Sequence, residues 1–157
     1  MMEADRLFNA FRKIKVGVIG DVMLDTYMWG KVERISPEAP VPIVAVERRE
    51  NRLGGASNVA LNLSSLGAQT TLLSVTGDDA DGKILSSLLH EKGIEGKYLI
   101  GSSSRVTTNK TRIISRNQQM FRLDTEVIRD LDETETRKLM ESIESFIQKE
   151  KPDVILF

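Results

Sequence analysis

Cysteine is absent from this 157-residue chain. That excludes a disulfide framework, thiolate catalysis and thiolate metal sites, and it agrees with a cytoplasmic address. The single histidine, His90, removes most imidazole chemistry. It sits in SSLLHEKG near the end of a helical pattern, where an imidazole facing solvent or the helix dipole is the ordinary state. No apolar run is long enough to span a bilayer, and the opening MMEADRLFNAFRKIKVGVIG lacks the basic-then-apolar order of a secretory leader. Neither sign of charge dominates, since 22 Lys and Arg stand against 23 Asp and Glu, so neither nucleic acid nor a membrane surface is an expected partner. Proline is scarce, and three of the four crowd into ISPEAPVP, which bars a helix there and leaves the rest open to regular structure. What remains is ordinary globular composition, 40% hydrophobic and 29% charged, at a length that suits one domain with a real core.

The apolar pattern alternates between strand and helix. Residues 1–13 read as a short amphipathic helix with Leu7, Ala10, Phe11 and Ile14 on one side, and residues 15–20 as a buried strand carrying Val16, Val18 and Ile19. A second core strand is expected over 70–75. Helices are expected over 54–67 and 81–92, with Gly67 and Gly93 as their stops. Asp132 and Glu135 have capping-box spacing ahead of a helix whose stripe is Leu139, Met140, Ile143, Phe146 and Ile147. Pro152 ends that helix before a last strand pattern over 153–157. The implied architecture is an α/β layered domain with right-handed crossovers. Two segments interrupt it, because 26–53 and 105–124 carry only strand-like pieces, the second around the turn-prone Arg116-Asn117-Gln118.

The most informative stretch is GGASNVALNLSSLG, residues 54–67. Gly54 and Gly55 let the backbone approach a ligand closely, and the helix after them aims its N-terminus at the same place. Ala56, Val59, Ala60, Leu63 and Leu66 make one apolar face. A tight strand-to-helix turn explains an isolated glycine pair equally well. From Gly54, however, the spacing runs through Asn58, Ala60, Gly67 and Gly77 without a gap, and this set resembles the first signature of the ribokinase-like sugar kinases, the PfkB family. GDVMLDTYMWGKVERISPEAPVPIV (residues 20–44) and TRIISRNQQMFRLD (residues 111–124) are similar to the heptose-phosphate kinases that build the bacterial lipopolysaccharide inner core.

That resemblance implies a ribokinase-like α/β/α domain in which 26–53 and 105–124 form a small β-sheet lid over a sugar site. It also implies ATP and Mg²⁺ as cofactors and D-glycero-D-manno-heptose 7-phosphate as the substrate, phosphorylated at its anomeric hydroxyl by a kinase domain standing alone or fused to an adenylyltransferase. In the family a later Gly-Ala-Gly-Asp type motif cradles nucleotide phosphate and supplies the catalytic base, and nothing here matches it. Residues 1–157 are therefore expected to be the N-terminal part of one kinase domain, with the catalytic residue beyond Phe157. Lids of paired subunits in the family often clasp each other, which makes a homodimer through the lid the expected assembly. The competing readings are a kinase for ribose, fructose 6-phosphate or a nucleoside, and a non-catalytic sugar-binding or dimerisation module. A dinucleotide fold is excluded, since GVIGD lacks the G-x-G-x-x-G run.

Candidate site residues follow from what a sugar kinase must hold. Asp25 offers two carboxylate acceptors to sugar hydroxyls, the role that the resemblance gives to the aspartate after the first strand. Asp21 either joins it or caps the turn through its own side chain. Gly54, Gly55 and Asn58 contribute backbone and amide contacts, although an asparagine in a first helical turn also serves as a local cap. Between Gly101 and Leu123 every charged residue is positive, namely Arg105, Lys110, Arg112, Arg116 and Arg122. Lys110 and Arg112 share a strand face and either converge on a substrate phosphate or protect an exposed edge. Asn117, Gln118 and Gln119 read hydroxyls or simply form the lid turn, and Tyr27, Met28 and Trp29 cover a sugar face or pack the lid. Asp78, Asp79 and Asp81 lack the remaining spacing of a calcium loop and read as a helix start, so no metal site is expected.

Overall fold

Val16, Val18 and Ile19 are buried because their strand lies inside a parallel sheet. The structure is a computed structural model that describes residues 2–157, with side chains described from Asp5 onward. Helix α1 (Met2–Phe11) leads into β1 (Lys15–Ile19), and a sheet in the order β5-β4-β1-β8 forms from β1, β4 (Gln69–Gly77), β5 (Glu95–Ser102) and β8 (Val154–Leu156), all parallel. Continuous apolar strands such as Val16–Ile19 and Leu72–Leu73 suit a sheet covered on both faces. Helices α2 (Ala56–Ser65) and α3 (Ala80–Glu91) pack on one face, where Ala60, Leu85 and Leu89 meet Val16, Val18 and Leu72. Helix α4 (Glu133–Glu150) covers the other through Phe146, which meets Ile19, Leu73 and Tyr98. Gly17 permits that approach, since a Cβ built there falls 2.5 Å from the Phe146 ring.

The second sheet has the order β3-β2-β6-β7 and is built from β2 (Val22–Ile35), β3 (Pro42–Gly55), β6 (Asn109–Ser115) and β7 (Gln118–Thr125). Its two hairpins are antiparallel, and β2 and β6 join them in parallel. Arg116 and Asn117 both have positive φ, 49° and 62°, as a two-residue hairpin turn between Ser115 and Gln118 demands. Val22, Leu24 and Leu53 anchor the base of this sheet in the main core. The layered α/β/α domain with a small β-sheet lid is therefore the observed arrangement.

Several expectations need correction. Strand β5 is not among the expected elements, because only Tyr98 and Ser102 of its eight residues are buried and its apolar run, Tyr98–Ile100, is three residues long. Strands β2 and β3 are each 14 residues long, so the lid strands continue to the glycine pair instead of stopping near residues 32 and 48. On α2, Val59 and Leu66 are exposed while Ser57 is fully buried, which turns the helix slightly from its expected face. On α1, Leu7 and Ala10 are exposed, and Met1 of the expected 1–13 helix lies outside the described residues. Helix α2 starts at Ala56 and not at Gly54, because the glycine pair still belongs to β3, whereas α3 and α4 start within a residue of expectation, with Gly67 and Gly93 at φ 101° and 68° behind α2 and α3 and a complete capping box at Asp132 and Glu135.

The acidic loop after β4 fastens lid to layer. Asp79 caps α3 by accepting from the Gly82 N–H at 2.8 Å, and it also accepts the N–H and hydroxyl of Thr107 at 2.8 Å each. Asp81 accepts from the Asn109 amide at 2.8 Å. These acids serve the helix start, as expected, and also the root of β6, which the sequence does not announce.

Candidate sugar site

Gly55 is the point where the lid strand β3 turns into α2. Its φ of 57° and ψ of −136° belong to backbone space that side chains avoid, and a Cβ there would lie 2.4 Å from the Asp21 carbonyl oxygen. That carbonyl accepts the Ala56 N–H at 2.8 Å, which ties the turn after β1 to the start of α2. Ser74 donates to the Gly20 carbonyl at 2.6 Å and fixes the same turn from β4. Asp21 thus works through its backbone, while its side chain is exposed and lines an adjoining cleft. The Asx cap weighed for it is not formed among the described residues.

Asp25 is the fourth residue of β2, not a loop residue after β1, and its carboxylate leans toward β3. A Cβ built on Gly54 falls 2.5 Å from Asp25 Oδ2, so the carboxylate occupies the volume glycine leaves free. Oδ1 accepts a charge-assisted hydrogen bond from Arg112. The result is a carboxylate anchored at one oxygen and turned with the other toward the Gly54–Gly55 backbone.

Beside it lies the N-terminus of α2. Unlike α3 and α4, this helix has no side-chain cap, so beyond the Ala56 N–H, which the Asp21 carbonyl takes, its first-turn N–H groups keep donor capacity. Ser57 donates its hydroxyl to the Gly54 carbonyl at 2.6 Å and is fully buried, a role the sequence reading missed by placing it on the polar side. Asn58 is exposed in the same first turn and does not cap the helix. Sheet topology supports this location, because ligands of open parallel sheets bind beyond the strand C-termini where strand order reverses. Here the chain moves from β1 outward to β4 and β5 and later returns to the opposite side of β1 with β8.

One lid face continues from Asp25. Register places Asp25, Tyr27 and Trp29 of β2 opposite Arg52, Glu50 and Arg48 of β3, and Asp25 and Tyr27 opposite Lys110 and Arg112 of β6. The Tyr27 and Trp29 rings stack at 5.6 Å, with Arg48 over Trp29 at 3.6 Å and Arg52 over Tyr27 at 4.6 Å. Lys110 and Arg112 do share a face, but each already holds a carboxylate. Lys110 reaches Asp124 at 3.2 Å and Glu126 at 3.5 Å, and Arg112 reaches Asp25. The bond to Asp25 raises the affinity of Arg112 for its proton further above an already high value. Asn117 and Gln119 lie exposed at the hairpin end, and Gln119 pairs with Ile114, four ladder positions beyond Lys110. The structure therefore brings Asp21, Asp25, Gly54, Gly55, Asn58, Lys110 and Arg112 into one neighbourhood and leaves Asn117 and Gln119 outside it.

A cleft of about 420 Å³ adjoins this neighbourhood, lined among others by Asp21, Met23, Thr76, Lys110, Glu126 and Arg129. Its far wall, residues 126–131, is held by Glu135, whose carboxylate the sequence reading saw only as a capping-box partner. Glu135 accepts from Ser102 at 2.6 Å, Ser104 at 3.0 Å, Arg129 at 3.0 Å and the Asp132 N–H at 2.9 Å. Arg105 adds a longer contact of 3.4 Å and donates to the Arg129 and Asp130 carbonyls. Glu135 is only 4% exposed, and the Ser102 hydroxyl, followed by the backbone and guanidinium donors, holds its carboxyl far below the usual range. Arg105, counted in sequence with the anion-facing run, is thus a structural cation. Among the described residues there is no group of three or more His, Cys, Asp or Glu side chains that could hold a metal ion. No helix among the described residues is long and apolar enough to cross a membrane.

Residues 13–151 match the family described as pfkB family carbohydrate kinase, and the chain belongs to that family. It is 46% identical over 135 residues to the bifunctional protein HldE of Helicobacter pylori, a match covering 86% of this chain and 29% of that protein. With the bifunctional protein HldE of Citrifermentans bemidjiense it shares 47% identity over 124 residues, 79% of this chain and 26% of that one. The chain spans less than a third of the length of these relatives. A solved carbohydrate kinase from Agrobacterium tumefaciens superposes with a TM-score of 0.59 at 24% identity, over 71% of this chain and 35% of that one, and the fold is the ribokinase-like one.

Proposed function

We propose that this chain is the sugar-binding part of an ATP-dependent kinase that phosphorylates the anomeric hydroxyl of D-glycero-D-manno-heptose 7-phosphate. The observation that carries the reading is the Asp25 carboxylate turned over Gly54 beside an uncapped helix N-terminus, at the C-terminal end of a parallel sheet. Asp25 accepts hydrogen bonds from sugar hydroxyls, and the Gly54–Gly55 backbone with the first turn of α2, Asn58 included, meets the same ring. The lid face is net positive, with Arg48, Arg52, Lys110, Arg112 and Arg122 against Asp25, Glu50 and Asp124, which suits a phosphosugar over a neutral one. Likeness to the bifunctional HldE proteins and the heptose-kinase pattern of residues 20–44 and 111–124 support the heptose as substrate.

Phosphoryl transfer also needs a base and a nucleotide site. ATP and Mg²⁺ are the cofactors that this kinase reading calls for, and the residues assigned above serve the acceptor sugar. What this chain does is hold and orient the acceptor sugar in the cytoplasm. Two copies pair through their lids, where Phe121 and Leu123 are about half exposed on the face opposite Asp25. ATP-dependent phosphorylation of the heptose phosphate, compared between residues 1–157 and the full gene product, tests the reading: activity only in the longer protein supports it, and turnover by residues 1–157 contradicts the division of labour.

A further inference from the structure

Arg112 belongs to the positive run that faces a substrate phosphate on sequence pattern, yet its contacts point elsewhere. We propose that Arg112 is a positioning residue: it holds the Asp25 carboxylate so that Oδ2 is presented over Gly54 to the sugar, and it acts on substrate through Asp25, not on a phosphate. This rests on the reading of Asp25 as the sugar ligand.

The argument is geometric. Arg112 Nη1 donates both to Asp25 Oδ1 and to the Lys110 carbonyl at 3.2 Å, so one nitrogen joins the carboxylate to the β6 backbone. The Arg112 guanidinium carbon stands 5.3 Å from the Tyr27 ring centroid, which limits its swing. The other nearby cations are engaged with different carboxylates, Arg52 with Glu50 at 2.5 Å and Lys110 with Asp124 and Glu126. Among the described residues Arg112 is the one cation bonded to Asp25, and Oδ2 has no hydrogen-bond donor. Each side chain of the pair is 22% exposed, too buried for a freely exchanging surface pair and open enough for Oδ2 to meet a ligand. A carboxylate with one oxygen anchored loses less rotamer freedom on binding than a free one.

The test is calorimetric titration of the full chain with D-glycero-D-manno-heptose 7-phosphate and with the unphosphorylated heptose, for the parent, Asp25→Asn, Arg112→Met, Arg112→Lys and the Asp25→Asn/Arg112→Met double variant. Arg112→Met is expected to weaken both sugars by the same factor, about tenfold. Arg112→Lys recovers part of that loss, and Arg112→Met adds little in the Asp25→Asn background. A loss confined to the phosphorylated sugar, or full additivity in the double variant, overturns the proposal while leaving Asp25 as a ligand. Unchanged affinity in Asp25→Asn overturns the Asp25 reading itself, and the proposal with it. Should Arg112→Met not fold, Arg112→Lys supports the same comparison: equal loss for both sugars supports positioning, and loss for the phosphorylated sugar alone contradicts it.

Discussion

Asp25 fills the space that a side chain at residue 54 would take, with Oδ2 2.5 Å from the position of a Gly54 Cβ. The aspartate and the glycine, 29 positions apart in sequence, are therefore sterically coupled, since the carboxylate can sit there only while residue 54 lacks a side chain. Gly54→Ala is expected to push the carboxylate off its seat, weaken heptose 7-phosphate binding by about tenfold or more, and destabilise the fold by about 1–3 kcal/mol. Calorimetric titration with a parallel thermal melt checks both parts. Unaltered affinity in a folded Gly54→Ala protein contradicts the coupling.

Gly55 carries a different constraint, set by its backbone. At φ 57° and ψ −136°, with the Asp21 carbonyl 2.4 Å from any Cβ, Gly55→Ala meets both dihedral strain and a collision with backbone that cannot move aside cheaply. An expected loss of about 2 kcal/mol or more lowers the melting temperature by roughly 4–8 °C in a domain of this size. A melt unchanged within error contradicts the assigned backbone conformation.

Glu135 predicts an acid sensitivity whose sign is fixed by the direction of its shift. Its folded-state carboxyl lies far below the ordinary 4.5, so its contribution to stability is fully present above pH about 4.5, begins to decline below that value and is lost only as pH falls through the much lower folded-state range. Glu135→Gln keeps the shape but leaves the Arg129 and Arg105 cations without their charge partner, at an expected cost of about 3–5 kcal/mol at neutral pH. Urea unfolding at pH 7 and pH 4 checks this, with the gap between parent and variant expected to narrow in acid. A gap that stays constant would falsify the role of the ionised carboxylate.

Asp79 joins the start of α3 to the root of the lid. Asp79→Ala removes the cap on Gly82, strands the Thr107 N–H and leaves the Thr107 hydroxyl with only the longer Gly77 carbonyl as acceptor, an expected loss of about 2–3 kcal/mol. Because Thr107 lies two residues before β6, amide exchange over 107–110 is expected to accelerate more than exchange in β1 or β4. Uniform acceleration across both sheets contradicts a local fastening.

Much of this molecule is legible in its sequence because it rests on local signals. Apolar runs at Val16–Ile19 and Leu72–Leu73, glycine stops at 67 and 93 and the Asp132–Glu135 box each announce an element without knowledge of its neighbours. Strand β5 stayed hidden because Tyr98 and Ser102 alone turn inward, so no period stands out. The lid strands looked shorter than they are because Asp25, Glu50 and Arg52 are charged yet lie within strands, where Arg52 pairs with Glu50 along β3 and Arg112 of β6 pairs with Asp25 of β2. The second role of Glu135 depends on Ser102, 33 positions away, and burial of Ser57 depends on the carbonyl that the Gly54–Gly55 turn directs at it. Sequence spacing put Asp25 and the glycine pair forward as sugar-side candidates, and only tertiary contact shows Arg112 bonded to Asp25 and sets Asn117 and Gln119 at the hairpin end.

The central claim, that Asp25 and the glycine pair form the sugar side of a heptose-phosphate kinase, is tested most directly by a thermal-shift series on the full-length protein. The series uses D-glycero-D-manno-heptose 7-phosphate, ribose, fructose 6-phosphate and a nucleoside, with the parent and Asp25→Asn side by side. The account predicts stabilisation of the parent by the heptose phosphate above the other three and loss of that stabilisation in Asp25→Asn. Equal or greater stabilisation by ribose, fructose 6-phosphate or the nucleoside, or a heptose response that survives Asp25→Asn, contradicts it.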